Sequence, residues 1–277
     1  MIKNIFGHES EIKFLENSLK ANEYSHSYLF TGPEGIGKCL LAKEFARCIL
    51  KVEDLSLSSD FTYIKKREDK KNILVEQIRE DVIENINQAP FSGDKKVYII
   101  DDGEFLNEAS QNALLKTLEE PPNHVIVIIV SSNTSTLLPT IMSRVNKINF
   151  NKLEDSVVDK FIKEKFNIEL SSKMLKYIDG SIGEAIYLSN EEVQIKFKGI
   201  DDIYNDILEK NIVTCLLKKD ITYLNEKHML DYLQFLFFEN KNYLCVKIIE
   251  KTKQRLKYNG NYDIVIDNMM LKCIESI

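Results

Sequence analysis

The stretch that most constrains this chain is Gly32-Pro33-Glu34-Gly35-Ile36-Gly37-Lys38-Cys39: a glycine, four residues, then a Gly-Lys pair. Glycine reaches positive φ at little cost, so successive backbone N–H groups can turn inward on a phosphate while the lysine adds a charge. The apolar run Tyr28-Leu29-Phe30 leads into the loop, and Leu41, Phe45, Cys48 and Ile49 follow it at helical spacing. Strand, glycine loop and helix is the context that a phosphate loop requires. Gly32, Gly35, Gly37 and Lys38 are therefore the first candidate binding residues. The next position usually carries Ser or Thr, whose hydroxyl holds Mg²⁺. Here it is Cys39, and a thiol is a poor ligand for a hard cation.

The surrounding pattern predicts an α/β domain over residues 1–150. A helix is expected from near Ser10, a strand at Phe61–Ile64, and a helix through Val75, Ile78, Val82 and Ile86. Further strands are expected at Lys96–Asp102, Val125–Val130 and Val145–Phe150, with helices from about Asn107 and Leu137 between them. Continuous apolar strands alternating with helices give a parallel sheet covered on both faces. Beyond residue 150 the pattern turns helical. A small helical domain is expected over 151–199, broken at Asp179-Gly180-Ser181, and an all-α domain over 200–277. In the latter, Phe235 to Phe238 read as core.

The formal net charge of −6 argues against nucleic-acid binding through an overall basic surface. The run Lys65-Lys66-Arg67-Glu68-Asp69-Lys70-Lys71 mixes signs and reads as a solvated loop. Cysteines 39, 48, 215, 245 and 273 lie far apart, without the paired spacing of a zinc site. No metal cluster is expected, and isolated thiols suit a reducing cytoplasm. No stretch approaches the roughly 20 apolar residues of a membrane span, so a cytoplasmic protein without a membrane partner is expected.

A second candidate pair, Asp101 and Asp102, closes the strand Lys96-Val97-Tyr98-Ile99-Ile100. In a nucleotide hydrolase the first acid of such a pair holds Mg²⁺ through water, and a following Glu polarises the attacking water. Asp102 is one methylene shorter, which leaves its carboxylate about 1.5 Å short of that position. Acids at strand ends are also common on plain α/β sheets, so the pair reads equally as structural.

Several stretches together resemble a family. Ser25-His26-Ser27-Tyr28-Leu29-Phe30-Thr31-Gly32-Pro33 and Lys96-Val97-Tyr98-Ile99-Ile100-Asp101-Asp102 are similar to the bacterial clamp-loader subunits of the AAA+ superfamily. So are Asn112-Ala113-Leu114-Leu115-Lys116-Thr117-Leu118-Glu119-Glu120-Pro121-Pro122 and Leu138-Pro139-Thr140-Ile141-Met142-Ser143-Arg144. The resemblance implies an AAA+ domain, a helical lid and a C-terminal collar. It implies a five-membered ring with three ATP-hydrolysing gamma/tau subunits and a delta subunit, which loads a sliding clamp on primed DNA. In the family a Ser-Arg-Cys arginine reaches the γ-phosphate of a neighbour's ATP. Arg144 matches it, with Val145 in place of the cysteine. From residue type alone, Arg144 reads as a surface arginine in an ion pair.

Asn133, at a strand end, is a candidate γ-phosphate sensor. Gly183 stands where active members carry an arginine that senses their own nucleotide, and the family's four-cysteine zinc module is absent. Cys39, Asp102 and Gly183 depart from the active pattern together. The resemblance therefore implies a subunit that is not itself an enzyme, with ATP or ADP permitted at the loop without hydrolysis. The alternative is a self-sufficient AAA+ ATPase of the gamma/tau type.

Overall fold

The structure is a computed structural model that describes residues 2–3, 5–212, 224, 228–258 and 261–277. Cys215 lies outside the described residues. The chain divides into two compact units, Met1–Leu170 with Ile178–Ala185, and Ser171–Tyr177 with Ile186–Ile277.

The first unit begins with α1 (Glu9–Ala21), β1 (Ser27–Thr31) and α2 (Lys38–Leu50). β2 (Phe61–Ile64) and α3 (Val75–Ile78) follow, then β3 (Lys96–Ile100), α4 (Glu108–Glu119), β4 (Val125–Ser131), α5 (Pro139–Met142), β5 (Asn146–Asn149) and α6 (Asp155–Phe166). The five strands form one parallel sheet in the order β2-β3-β4-β1-β5. The expected α/β architecture is thus present, including the edge strand inside the charged segment.

Alternation along the strands sorts the core into two layers, because successive side chains point to opposite faces. Tyr28, Phe30, Val97, Ile99, Ile126 and Ile128 pack with Leu15, Leu41 and Phe45 of α1 and α2. Leu29, Tyr98, Ile100, Val127 and Ile129 pack with Ile78, Leu114, Leu118 and Ile141 on the other face. Each such side chain contributes about 1.5–3 kcal/mol relative to exposure.

Two local features depart from the regular pattern. The helix through Val75 and Ile86 widens after α3 into a π-turn, where the Glu84 N–H donates to the Arg79 carbonyl at 3.0 Å. Ile78, Val82 and Ile86 remain buried nonetheless. α4 is capped by Asn107, whose side-chain oxygen accepts from the Ser110 N–H at 2.8 Å.

Around the break at Asp179–Ser181 lie α7 (Ser172–Ile178) and α8 (Ile182–Leu188). The second unit continues with α9 (Glu191–Leu208), α10 (Met229–Glu239), α11 (Tyr243–Lys257) and α12 (Tyr262–Glu275). The border expected between residues 199 and 200 falls inside the continuous helix α9. Phe197, Ile200, Ile203, Tyr232, Leu233, Leu236, Phe237 and Met270 are buried in this unit. The expectation for Phe235–Phe238 needs correction. Four consecutive helical residues sweep most of a turn, so Leu236 and Phe237 are buried while Phe238 is 55% exposed. Among the described residues, no helix is long and apolar enough to cross a membrane.

Candidate functional site

β1, β3 and β4 run parallel, so their C-terminal ends share one edge of the sheet. From β1 the chain crosses to the edge strand β2 and returns through β3 and β4, and only then reaches β5 on β1's other side. Such a reversal opens the crevice in which open parallel sheets bind ligands.

The glycine loop fills that crevice, and its backbone explains its composition. Gly32 sits at φ +151°, where a Cβ would come within 2.2 Å of the Phe150 carbonyl oxygen. Gly35 sits at φ +75°, and Gly37 at φ +99° as the N-cap of α2, with nothing within 4 Å of a Cβ there. Gly32→Ala is therefore expected to destabilise the chain by about 2–3 kcal/mol, read as a fall in Tm of several degrees. An unchanged melting curve would refute the close approach.

Lys38, first residue of α2, is buried, and its Nζ donates to the Gly32 carbonyl at 2.7 Å and to the Pro33 carbonyl. Burial lowers the lysine's pKa, and the nearby carboxylates of Glu104 and Asp101 oppose that shift. Positive-φ glycines, a helix N-terminus and a buried ammonium together suit a polyphosphate. Sequence reasoning missed His8, which is buried beneath this loop. Its Nε2–H donates to the Ile36 carbonyl at 2.8 Å, and its ring packs edge-on against Phe150.

The acids lie just past β3. Asp101 accepts the Tyr63 hydroxyl proton at Oδ2 (2.7 Å) and the Asp102 N–H at Oδ1 (3.0 Å). Asp102 adopts a left-handed backbone (φ 56°), and its carboxylate lies 4.0 Å from the Lys65 ammonium. Burial and the Asp101 charge raise its pKa. Glu104, which the sequence reading passed over, joins the ends of β3 and β4. It accepts from the Ser131 hydroxyl at 3.0 Å, the Ser132 N–H at 3.1 Å and the Ser132 hydroxyl. Its position three residues after Asp101, in an Asp-Asp-Gly-Glu run, was the available signal.

Cys39 meets this cluster from the first turn of α2. Its Sγ lies 3.7 Å from the Tyr63 hydroxyl, and burial with the Asp101 charge pushes its thiol pKa up to about 11. The basic run does not simply face water. Lys65 approaches Asp102, and Lys66 lies 5.3 Å from the centre of the Phe105 ring.

Asn133 caps the turn after β4. Its side-chain oxygen accepts from the Ser135 N–H at 3.0 Å and the Ser135 hydroxyl at 2.7 Å, so that oxygen is already engaged. Gly183 has a packing role: its N–H donates to the Gly35 carbonyl at 2.8 Å, and a Cβ there would lie 3.3 Å from the Gly35 Cα.

Arg144 stands apart from the other candidates. Its guanidinium contacts Glu119 at 2.6 Å and donates to the Thr140 carbonyl at 2.9 Å and the Ser143 hydroxyl at 3.0 Å. It precedes β5, whose Asn146 pairs with Tyr28 and whose Asn149 pairs with Thr31. Arg144 therefore sits beyond the N-terminal end of that pairing, and the loop beyond its C-terminal end. They are at least about 10 Å apart along the strands.

Comparison with known proteins gives this geometry a setting. A model of the family described as DNA polymerase III, delta subunit, matches residues 7–154. DNA polymerase III subunit tau/gamma of Haemophilus influenzae is 29% identical over 210 residues, covering 69% of this chain and 30% of the relative. DNA polymerase III subunit tau of Bacillus subtilis is 31% identical over 193 residues, covering 65% of this chain and 33% of the relative. The chain thus spans about a third of the length of these two relatives. A DNA polymerase III gamma subunit-related protein from Thermotoga maritima superposes with a TM-score of 0.61 at 18% identity. That superposition covers 94% of this chain and 98% of the other, and supports the AAA+ fold.

These relatives correct one expectation. Cys39, Asp102 and Gly183 led to a chain that is not itself an enzyme. The matched proteins are tau and gamma subunits, the ATP-hydrolysing class, so that reading does not stand. The geometry also gives Gly183 a tight approach to the Gly35 backbone, a packing feature separate from any nucleotide sensing.

Proposed function

Because this chain belongs to the DNA polymerase III delta-subunit family, we propose that it is a clamp-loader subunit with two nucleotide roles. It holds and hydrolyses ATP at Gly32–Lys38, and it offers Arg144 to the ATP of a neighbouring subunit. The observation that carries this reading is the separation of loop and arginine across the length of β1 and β5. A guanidinium so far from its own loop serves a phosphate only on another chain. Asp101 would face the cation that accompanies ATP, while Asn133 retains only its amide nitrogen as a sensor of the γ-phosphate.

The expected partners are gamma/tau and delta subunits in a five-membered ring, with the sliding clamp and primer-template DNA engaged through that ring. Two places in the ring are open to it. The family match favours the single delta-prime place at one end, and the relatives favour a gamma/tau place. Reconstitution with the other subunits, read by native mass and by clamp loading on primed DNA, tests both. One copy per ring is expected for delta-prime and three for gamma/tau. Failure to enter any ring would overturn the proposal.

A further inference from the structure

Position 39 lacks the hydroxyl that such a loop ordinarily sets beside its cation, yet a hydroxyl comes next to it from another element. Tyr63 lies on the edge strand β2, and its hydroxyl donates to Asp101 Oδ2 at 2.7 Å while lying 3.7 Å from Cys39 Sγ. Lys43, one helical turn after Cys39, places its ammonium 3.9 Å from the centre of the Tyr63 ring, which holds the phenol against α2. A strand, a helix and an acid from three separate segments thus converge on one oxygen.

We infer that the Tyr63 hydroxyl replaces the missing Ser or Thr hydroxyl at position 39 as the neutral oxygen ligand for the divalent cation that accompanies ATP. The inference rests on the nucleotide reading above and supplies what Cys39 took from it. A hydroxyl that gives its hydrogen to a carboxylate keeps two lone pairs; the Cys39 thiol meets one at 3.7 Å, and the other is left for a cation. An ordinary phenol is uncharged at neutral pH, as a serine or threonine hydroxyl is. The sulfur of Cys39 is a poor ligand for a hard cation. Magnesium sites of this kind use one or two side-chain oxygens together with the nucleotide's phosphates.

The test is a binding cycle on the full-length chain, titrated calorimetrically with a non-hydrolysable ATP analogue, with Mg²⁺ and with EDTA. In the wild type Mg²⁺ is expected to tighten binding. Tyr63→Phe is expected to lose about 10–100-fold of that tightening while metal-free affinity holds. Cys39→Thr, added to Tyr63→Phe, is expected to restore it by returning a hydroxyl to α2. Retention of the full Mg²⁺ effect in Tyr63→Phe overturns the inference, as does failure of Cys39→Thr to rescue. A wild type that binds no analogue under either condition overturns the nucleotide reading itself.

Discussion

Lys38→Ala is expected to lower ATP turnover by the isolated chain about 10²–10³-fold, because it removes the charged donor that the loop would offer the phosphates. The buried ammonium is held by two loop carbonyls, Gly32 and Pro33, in the hollow formed by the glycines. Neutral carbonyls only partly compensate its lost hydration, so a polyanion gains more from it than water would. Coupled-assay turnover with Mg²⁺, measured beside wild type, reads the effect. Equal turnover in the two proteins would show that hydrolysis occurs at some other site or in a contaminant. No turnover in wild type would leave nucleotide binding as the loop's only role.

Arg144→Ala is expected to lower turnover at the neighbouring subunit's site by about 10³-fold in the reconstituted ring. Bulk turnover falls less, since the other sites continue. The arginine is about one-third exposed, and its partner Glu119 is about half exposed. A surface ion pair of this kind contributes about 0–1 kcal/mol, so exchanging Glu119 for a phosphate costs little, and the new contact is bidentate and charge-assisted. The thermal midpoint of the isolated variant should therefore stay nearly unchanged while DNA-stimulated turnover and clamp loading fall. If stability falls instead and turnover does not, Arg144 is only the surface ion-pair residue that its residue type suggests.

The sheet was legible because its strands are buried on both faces and leave an unbroken apolar signature, as in Ile126-Val127-Ile128-Ile129. The edge strand Phe61–Ile64 was readable despite charged neighbours, because all four of its residues are aromatic or β-branched and favour a pleated strand. The π-turn after α3 was not legible, since the buried positions Ile78, Val82 and Ile86 suit a regular helix as well.

The candidate site was half legible. Residues whose role lies in the backbone, such as Gly32 and Gly37, announce themselves by type. Residues that act through a side chain brought from another segment do not. Tyr63 lies 38 positions from Asp101, and His8 lies 28 from Ile36, so no local spacing signals either pair. Gly183 is ambiguous for a related reason. A missing arginine and a glycine in tight backbone contact look alike in one sequence.

That backbone contact also bears on how the chain tolerates substitution. A side chain added at position 183 would bring its Cβ to 3.3 Å from the Gly35 Cα, a tight contact relieved by a shift of a few tenths of an ångström. That adjustment passes directly into the glycine loop, whose Gly35 carbonyl accepts from the Gly183 N–H. Position 183 is thus coupled to the loop, so a substitution at one is felt at the other.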